Sequence, residues 1–468
     1  MLILDRSPGA PPLYRQLYQQ LRGQILSGAL PAGTRLTPTR LLAQELGVSR
    51  NTVENAYQQL LAEGFLDSRV GSGYAVLSPG RAPAPTAPMV AEPPAPDRPL
   101  EFCLEYGRGR PDQFPTPTWK KAVSAALQQA PYSRYCPAAG LAELREQLAL
   151  YLGLSRGVAC SPGQIVIGGG TQPLVDLICQ LLRLSGQPPR PGMEEPGYDG
   201  VRQVFQNNGC PARPIPVEGD GIDPAALEGS GCNLVYLTPS HQFPLGGVLP
   251  VGKRLTLIDW AQRTGGYLLE DDYDSEFRYA SDPIPSLQSL WPDGSVFYLG
   301  TFAKALSPGV RLSYLVLPAH LVPLYRRHYR TYHNPVPVVT QLALAQFMQQ
   351  GAWQRHLRRQ LARCRRLHDA LTDELGRELD GLAQLSGRGA GLHVLLRSTR
   401  GLEEATLIAR CRALEMEVFP LSPYYQGACP PGGCLVLGFG SLTLEDIPVI
   451  VRRLRRAFDP EDKLEDVT

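Results

Sequence analysis

Residues 297–318 read FYLGTFAKALSPGVRLSYLVLP, and this stretch decides the fold. Two short apolar segments, read as strands, bracket a loop that holds a single lysine, Lys304. The chain carries 46 basic residues, of which only five are Lys (120, 121, 253, 304 and 463); all the others are Arg. Arginine stays protonated, whereas lysine can become neutral and form a Schiff base. A lysine kept among small and apolar neighbours therefore points to lysine chemistry. Thr301 precedes it by three residues and Arg311 follows by seven. A hydroxyl and a guanidinium so placed suit a phosphate.

Three further stretches extend this reading. GYLLEDDYDSEFRY (266–279) ends an apolar strand in acids. Residues i and i+2 of a strand point the same way, so Asp271 and Tyr273 share a direction. A carboxylate there could pair with a protonated pyridine nitrogen and keep that ring an electron sink, with the phenol bonded to the ring's 3-oxygen. IVIGGGTQPLVDLI (165–178) is strand, glycines, helix, and Gly169, Gly170 and Thr171 can turn backbone amides toward a phosphate. EEPGYDG (194–200) holds Tyr198 in a tight turn, from which an aromatic ring could stack on a planar cofactor. NLVYLTP, GYLLEDD, SVFYLGT and VRLSYLVLP, with helical stretches between some of them, predict an α/β domain on a largely parallel sheet.

The N-terminal stretch is of another kind. Leu13, Leu17, Leu21 and Ile25 recur at four-residue spacing, as in an amphipathic helix. A second helix is expected after Thr37 as N-cap and Pro38, ending at Gly47. A third starts at Ser49, with Val53, Ala56, Tyr57 and Leu60 on one apolar face. FLDSRVGSGYAVL then reads as two strands around a Gly-Ser-Gly tip. This order is a winged helix-turn-helix. Its candidate DNA-facing set is Ser49, Arg50, Asn51 and Thr52 at the start of the third helix, with Arg69, Gly71 and Gly73 on the wing.

Residues 78–100 contain eight prolines among 23 residues and read as an extended linker. The expected organisation is a DNA-binding domain at 1–77, the linker at 78–100, and the large domain at 101–468. Net charge is +2; residues 1–78 carry seven Arg against five acids, and residues 101–468 balance at 37 each. The formal excess sits in the small domain, where an anionic partner is expected.

Other classes fall away. No apolar run approaches the ~18 residues of a membrane span, and the acid at position 5 of MLILDRSPGA argues against a secretory signal. Ten cysteines without a CxxC suggest buried thiols in a reducing cytoplasm. Seven histidines without HxxxH or HExxH give no support to a metal site.

With these motifs in place, residues 13–77 resemble a GntR-type winged helix: LLAQELGVSRNTVENAYQQLLAEG and RVGSGYAV follow its pattern, with Thr37-Pro38-Thr39-Arg40 at the entry. The resemblance adds Arg40 to the DNA contacts and supports Arg50, Thr52 and Gly73. Residues 101–460 resemble fold-type I aminotransferases. TPSHQFPLGGVLP, EDDYDSEFRY, PIPSLQSL and GTFAKALSPGVRLSYLVLP resemble the MocR/GabR family, which fuses the two domains. The resemblance implies a pyridoxal 5'-phosphate cofactor. Lys304 would be its Schiff-base residue, Asp271 would sit on the pyridine nitrogen, Tyr273 on the 3-oxygen and Tyr198 against the ring, with Thr301 and Arg311 on the phosphate.

It further implies a cytoplasmic transcriptional regulator acting on a double-stranded DNA operator as a head-to-tail homodimer. Its effector would be pyridoxal phosphate itself or an amine or amino acid. The alternative is an aminotransferase with an appended winged helix. Two departures weigh against efficient turnover. CLVLGFGSL (434–442) lacks the arginine that clamps a substrate carboxylate, with Arg388 and Arg397 lying upstream. PSHQFPLG lacks the expected asparagine, leaving His241 or Gln242 to substitute.

Overall fold

The computed structural model describes residues 2–69, 73–78, 99–131, 134–279, 284–427 and 429–463. The chain divides into two compact units, Met1–Asp97 and Arg98–Thr468. The proline-rich stretch proposed as a linker lies almost wholly outside the described residues.

The small unit contains α1 (Leu13–Leu26), α2 (Thr39–Leu46), α3 (Arg50–Ala62), β1 (Leu66–Arg69) and β2 (Gly73–Val76). Leu17, Leu21, Ile25, Leu42, Val53, Ala56, Tyr57 and Leu60 form its core. The turn between α2 and α3 is closed at Gly47, whose φ of +60° is the left-handed conformation of a helix C-cap. Arg6 also donates to the carbonyls of Leu46 and Gly47 at 2.9 and 2.8 Å. The expected Thr37 cap is not formed: α2 starts at Thr39 after Pro38, without a side-chain cap. The Thr37 carbonyl instead accepts from the Tyr57 hydroxyl at 2.9 Å, which ties the entry of α2 to α3. Ser49 does cap α3, accepting from the Thr52 amide at 3.2 Å.

The large unit opens with β3 (Phe102–Cys103), α4 (Thr116–Gln129), α5 (Ala142–Arg156), β4 (Ile165–Gly168) and α6 (Thr171–Leu184). Next come β5 (Pro191–Glu195), α7 (Asp199–Asn207), β6 (Arg213–Glu218), β7 (Gly221–Ile222), β8 (Leu234–Leu237) and α8 (Val251–Thr264). Then follow β9 (Tyr267–Asp272), β10 (Val296–Thr301), β11 (Ser313–Val316), α9 (Val322–His328), α10 (Val338–Gln349) and α11 (Ala352–Glu378). The C-terminal part holds β12 (Ala383–Ser386), β13 (His393–Ser398), α12 (Glu404–Ala413), β14 (Met416–Glu417), β15 (Phe419–Pro420), β16 (Cys434–Gly438) and α13 (Asp446–Phe458).

Eight strands form the main sheet in the order β4-β11-β10-β9-β8-β5-β6-β7. The run β10-β9-β8-β5-β6 is parallel, while β11 lies antiparallel between β4 and β10. Strands β4, β8, β10 and β11 are largely apolar and buried, because both faces of the sheet are covered there. Leu234, Tyr236, Tyr267 and Leu269 pack into one core with α6 and α7; Val235, Leu237 and Leu268 pack into another with α8. A separate four-stranded sheet, β12-β13-β16-β15, serves the C-terminal part.

This period-2 alternation sorts the acids of EDD. Asp271 continues the Tyr267–Leu269 row. Glu270 and Asp272 point to the opposite face, where they are structural. Glu270 accepts from the Leu287 and Gln288 amides at 2.8 and 2.9 Å. Asp272 pairs with buried Arg156 at 2.7 Å and accepts from the Tyr298 hydroxyl.

Candidate functional site

Lys304 lies in the loop joining antiparallel β10 and β11. Its amine stands 3.8 Å from the centroid of the Tyr106 ring. Burial lowers its pKa from 10.5 to about 8, against the opposing pull of Asp274, Asp271 and Glu105. A sizeable neutral fraction near physiological pH follows, and only the neutral amine is a nucleophile.

A cavity of about 350 Å³ opens at this amine and is lined by Gly170, Thr171, Tyr198, Asp271, Tyr273, Thr301 and Arg311, among others. Seven of the cofactor residues singled out in the sequence thus meet with Lys304 in one place. Gly169 is not in the lining. It sits between β4 and Gly170, and Gly170 is the N-cap of α6. The first amides of α6 lack intrahelical partners and face an anion readily. Gly170 has φ +142°, and a Cβ there would come within 2.8 Å of the Arg311 guanidinium. The glycine lets that cation approach the helix start. Thr301 is held by hydrogen bonds: its hydroxyl oxygen accepts from the Ala303 amide at 3.1 Å and is 2.9 Å from the Ser313 hydroxyl.

Asp271 is 3% exposed. Its Oδ2 accepts from the Tyr236 hydroxyl at 2.7 Å, and its Oδ1 is buried with no partner among the described residues. Burial first, and then the neighbouring carboxylates of Asp272 and Asp274, raise its pKa to about 7, with the Tyr236 bond and Lys304 opposing. A buried acceptor without a donor costs free energy, and a protonated ring nitrogen would supply the missing donor. Tyr273 lines the cavity, and its hydroxyl donates to the His241 carbonyl at 2.8 Å with His241 Nδ1 at 3.0 Å. His241 Nδ1 is also 3.0 Å from Asp274. Tyr198 packs edge-on against Phe243, with centroids 6.0 Å apart.

Neither His241 nor Gln242 lines the cavity. Gln242 is spent on the carbonyls of Pro196 and Phe243 and on the Leu245 amide. Phe243 is the residue of that loop in the wall. The upstream arginines are elsewhere as well: Arg397 donates to the carbonyls of Pro431 and Gly432, and Arg388 is exposed.

Sequence reasoning missed the segment Glu105–Arg110. Tyr106 underlies the lysine, and Gly107 has φ +82°, with its missing Cβ directed at Lys304 Nζ. Two glycines two residues apart beside an aromatic (Gly107, Gly109) were the available signal. Tyr236 was missed because a strand tyrosine reads as core until its partner is known.

In the small unit, Arg40, Ser49, Arg50, Asn51 and Gly73 are exposed and Thr52 is half-buried. Arg50 pairs with Glu54 at 3.6 Å, an exposed pair of small energetic weight. The Ser49 hydroxyl is engaged by Thr52, at 2.8 Å from its side chain. The Arg69 backbone pairs with Gly73 across the wing; its side chain, and all of Gly71, lie outside the described residues. Among the described residues no helix is long and apolar enough to cross a membrane, and no group of three or more His, Cys, Asp or Glu is placed to hold a metal ion.

Comparison with known proteins agrees with this architecture. The gntR family of bacterial regulatory proteins matches residues 13–76, and aminotransferase class I and II matches residues 103–412. An uncharacterized HTH-type transcriptional regulator YhdI of Bacillus subtilis is 36% identical, with 96% of each chain covered. The probable rhizopine catabolism regulatory protein MocR of Rhizobium meliloti is 36% identical over 98% of this chain and 96% of its own. Among solved structures, the α-aminoadipate aminotransferase LysN of Thermus thermophilus, complexed with N-(5'-phosphopyridoxyl)-L-leucine, is 27% identical. It superposes with a TM-score of 0.66 over 76% of this chain and 92% of its own. The fold of the large unit is that of an aminotransferase, the small unit is a GntR-type helix-turn-helix domain, and the chain belongs to the MocR-type family of HTH transcriptional regulators.

Proposed function

We propose that this protein is a cytoplasmic transcriptional regulator in which the aminotransferase-like domain binds pyridoxal 5'-phosphate and governs binding of the winged helix to an operator. The observation that carries this reading is the meeting of Lys304 with the unpartnered oxygen of Asp271 in one cavity. The residues fit the cofactor chemically. Lys304 supplies the amine for its aldehyde. Asp271, held by Tyr236, accepts from its ring nitrogen. Gly170, Thr171, Thr301 and Arg311 form a cradle for its phosphate, and Tyr198 and Phe243 wall its ring. When bound, the cofactor supplies an electrophilic carbon that an amine can engage.

The effector is pyridoxal phosphate itself or an amine or amino acid that competes with Lys304. Efficient transamination is disfavoured, because β16 carries no arginine and neither Arg388 nor Arg397 lines the cavity. Aminotransferase-like chains complete their sites as dimers, so the working form is a homodimer, head-to-tail in this family, with two winged helices on paired half-sites.

The test is a titration of the purified protein with pyridoxal phosphate, followed by Schiff-base absorbance, and then with a panel of amines and amino acids. Binding to DNA fragments selected on the protein is measured alongside. A band that forms, and DNA affinity that changes with it or with one amine, is the expected result. A colourless protein, or DNA binding indifferent to every addition, overturns the reading. Sustained turnover of an amino donor and a keto acid would favour the enzyme instead.

A further inference from the structure

The large domain is formally neutral, yet its charge is segregated. From Ala352 to His368, α11 carries six arginines (355, 358, 359, 363, 365 and 366) and no acid. Its remaining residues, Asp369–Glu378, carry four acids and one arginine. At 3.6 residues per turn, all six arginines fall within an arc of roughly 160°. The opposite side of the helix buries Trp353, His356, Cys364 and Leu367. Arg355, Arg359, Arg363 and Arg366 follow one another at steps of four, four and three along a stripe about 16 Å long.

Three members have structural duties. Arg363 donates to the carbonyls of Gly440 and Leu442, and Arg355 to that of Gln350. Arg365 reaches the Arg278 carbonyl at 3.3 Å. Arg358, Arg359 and Arg366 are exposed and make no ion pair or hydrogen bond among the described residues. The acids beside the stripe are Asp369, which follows Arg365 and Arg366 on the same face of α11 and meets His368 Nδ1 at 2.9 Å, Asp112, already bound by Arg110 at 3.1 Å, and exposed Glu445. Like charges three and four residues apart weaken a helix, so the stripe carries an electrostatic cost that an anionic partner would relieve.

We infer that this face of α11 is a sequence-independent docking surface for the phosphodiester backbone of DNA outside the stretch read by the winged helix. One DNA strand presents a phosphate about every 3.4 Å of axis, so a 16 Å stripe spans roughly five phosphates. Guanidinium forks match phosphate oxygens in pairs. Duplex held by the small unit of the same molecule is present at high effective concentration. That favours DNA over an acidic protein as the occupant. The inference rests on the DNA-binding reading above.

The test compares the full-length protein, loaded with cofactor, with R358Q/R359Q/R366Q and with the charge-keeping R358K/R359K/R366K. Each is titrated with a short fragment limited to the site protected by the winged helix, and with the same site flanked by about two further helical turns on each side. The expected result has three parts. The Gln variant binds the short fragment as wild type does but the long fragment at least tenfold more weakly near 0.1 M salt. The slope of log affinity against log salt on the long fragment falls by roughly two to three. The Lys variant retains most of the wild-type behaviour. Equal affinity of wild type and the Gln variant for the long fragment overturns the inference, leaving the face to an acidic protein surface. Equal weakening on both fragments also overturns it. If wild type binds neither fragment, the DNA-binding reading itself has failed. Unchanged Schiff-base absorbance in the variants shows that the fold is intact.

Discussion

The Tyr236 hydroxyl donates to Asp271 Oδ2 at 2.7 Å, and among the described residues Oδ1 of the same carboxylate has no partner. One strand thereby orients the acid of the next, because Tyr236 on β8 and Asp271 on β9 lie on the same face of the sheet. Tyr236→Phe removes this donor from a buried carboxylate, a loss of about 1.5–3 kcal/mol for a hydrogen bond to a charged group. Asp271 should then titrate still higher than about 7. We expect pyridoxal phosphate to bind tenfold or more weakly at pH 7, with DNA binding of the cofactor-free protein unchanged. Spectrophotometric titration and anisotropy on the same samples check both statements.

Gly107 sets the room for Lys304. Its φ is +82°, and a Cβ there would collide with the lysine amine. Gly107→Ala meets both strain and steric conflict, and should slow cofactor capture by at least tenfold while costing about 1–2 kcal/mol of stability. Lys304→Ala should abolish the Schiff-base band outright. A band of wild-type intensity in the latter variant would remove Lys304 from its role.

The amine of Lys304 sets a pH dependence whose sign is fixed. Burial depresses the ammonium to about 8 from its ordinary 10.5, so the reactive neutral form is a minority below that value, scarce near pH 6, and saturates above it. Capture of pyridoxal phosphate should accelerate about tenfold per pH unit between pH 6 and 7.5 and level off near pH 8–9. A rate that keeps climbing beyond pH 10 would mean an unperturbed lysine. Stopped-flow absorbance from pH 6 to 10.5 distinguishes the two profiles.

Ser49 and Arg50 are adjacent but should fail differently. Ser49 caps α3, so Ser49→Ala should cost the small unit about 1 kcal/mol, read as a lower melting temperature. Arg50 is exposed and, among the described residues, held only by Glu54. Arg50→Ala should leave stability within about 0.5 kcal/mol and weaken operator binding roughly tenfold at matched salt. Equal affinity would move recognition off the start of α3.

The sequence by itself determined both domain types and most of the candidate site. Helical spacing placed Leu17, Leu21, Val53 and Tyr57 in the small core, and strand alternation gave Asp271 and Tyr273 a shared direction. Scarcity of lysine pointed to Lys304. These features are local: each rests on a period, a turn or a residue count within a dozen positions. What only the tertiary structure decided came from segments far apart in the chain. Tyr106 and Gly107 meet a lysine some two hundred positions later. Tyr236 finds Asp271 across a strand pair, and Phe243 takes the wall position that polar His241 and Gln242 were expected to fill. Even the start of α2 moved by one residue, to Thr39, and the Tyr57 hydroxyl holds the Thr37 carbonyl. A sequence encodes such encounters only through sheet order and packing, and no period or motif within one segment records which distant side chain will arrive.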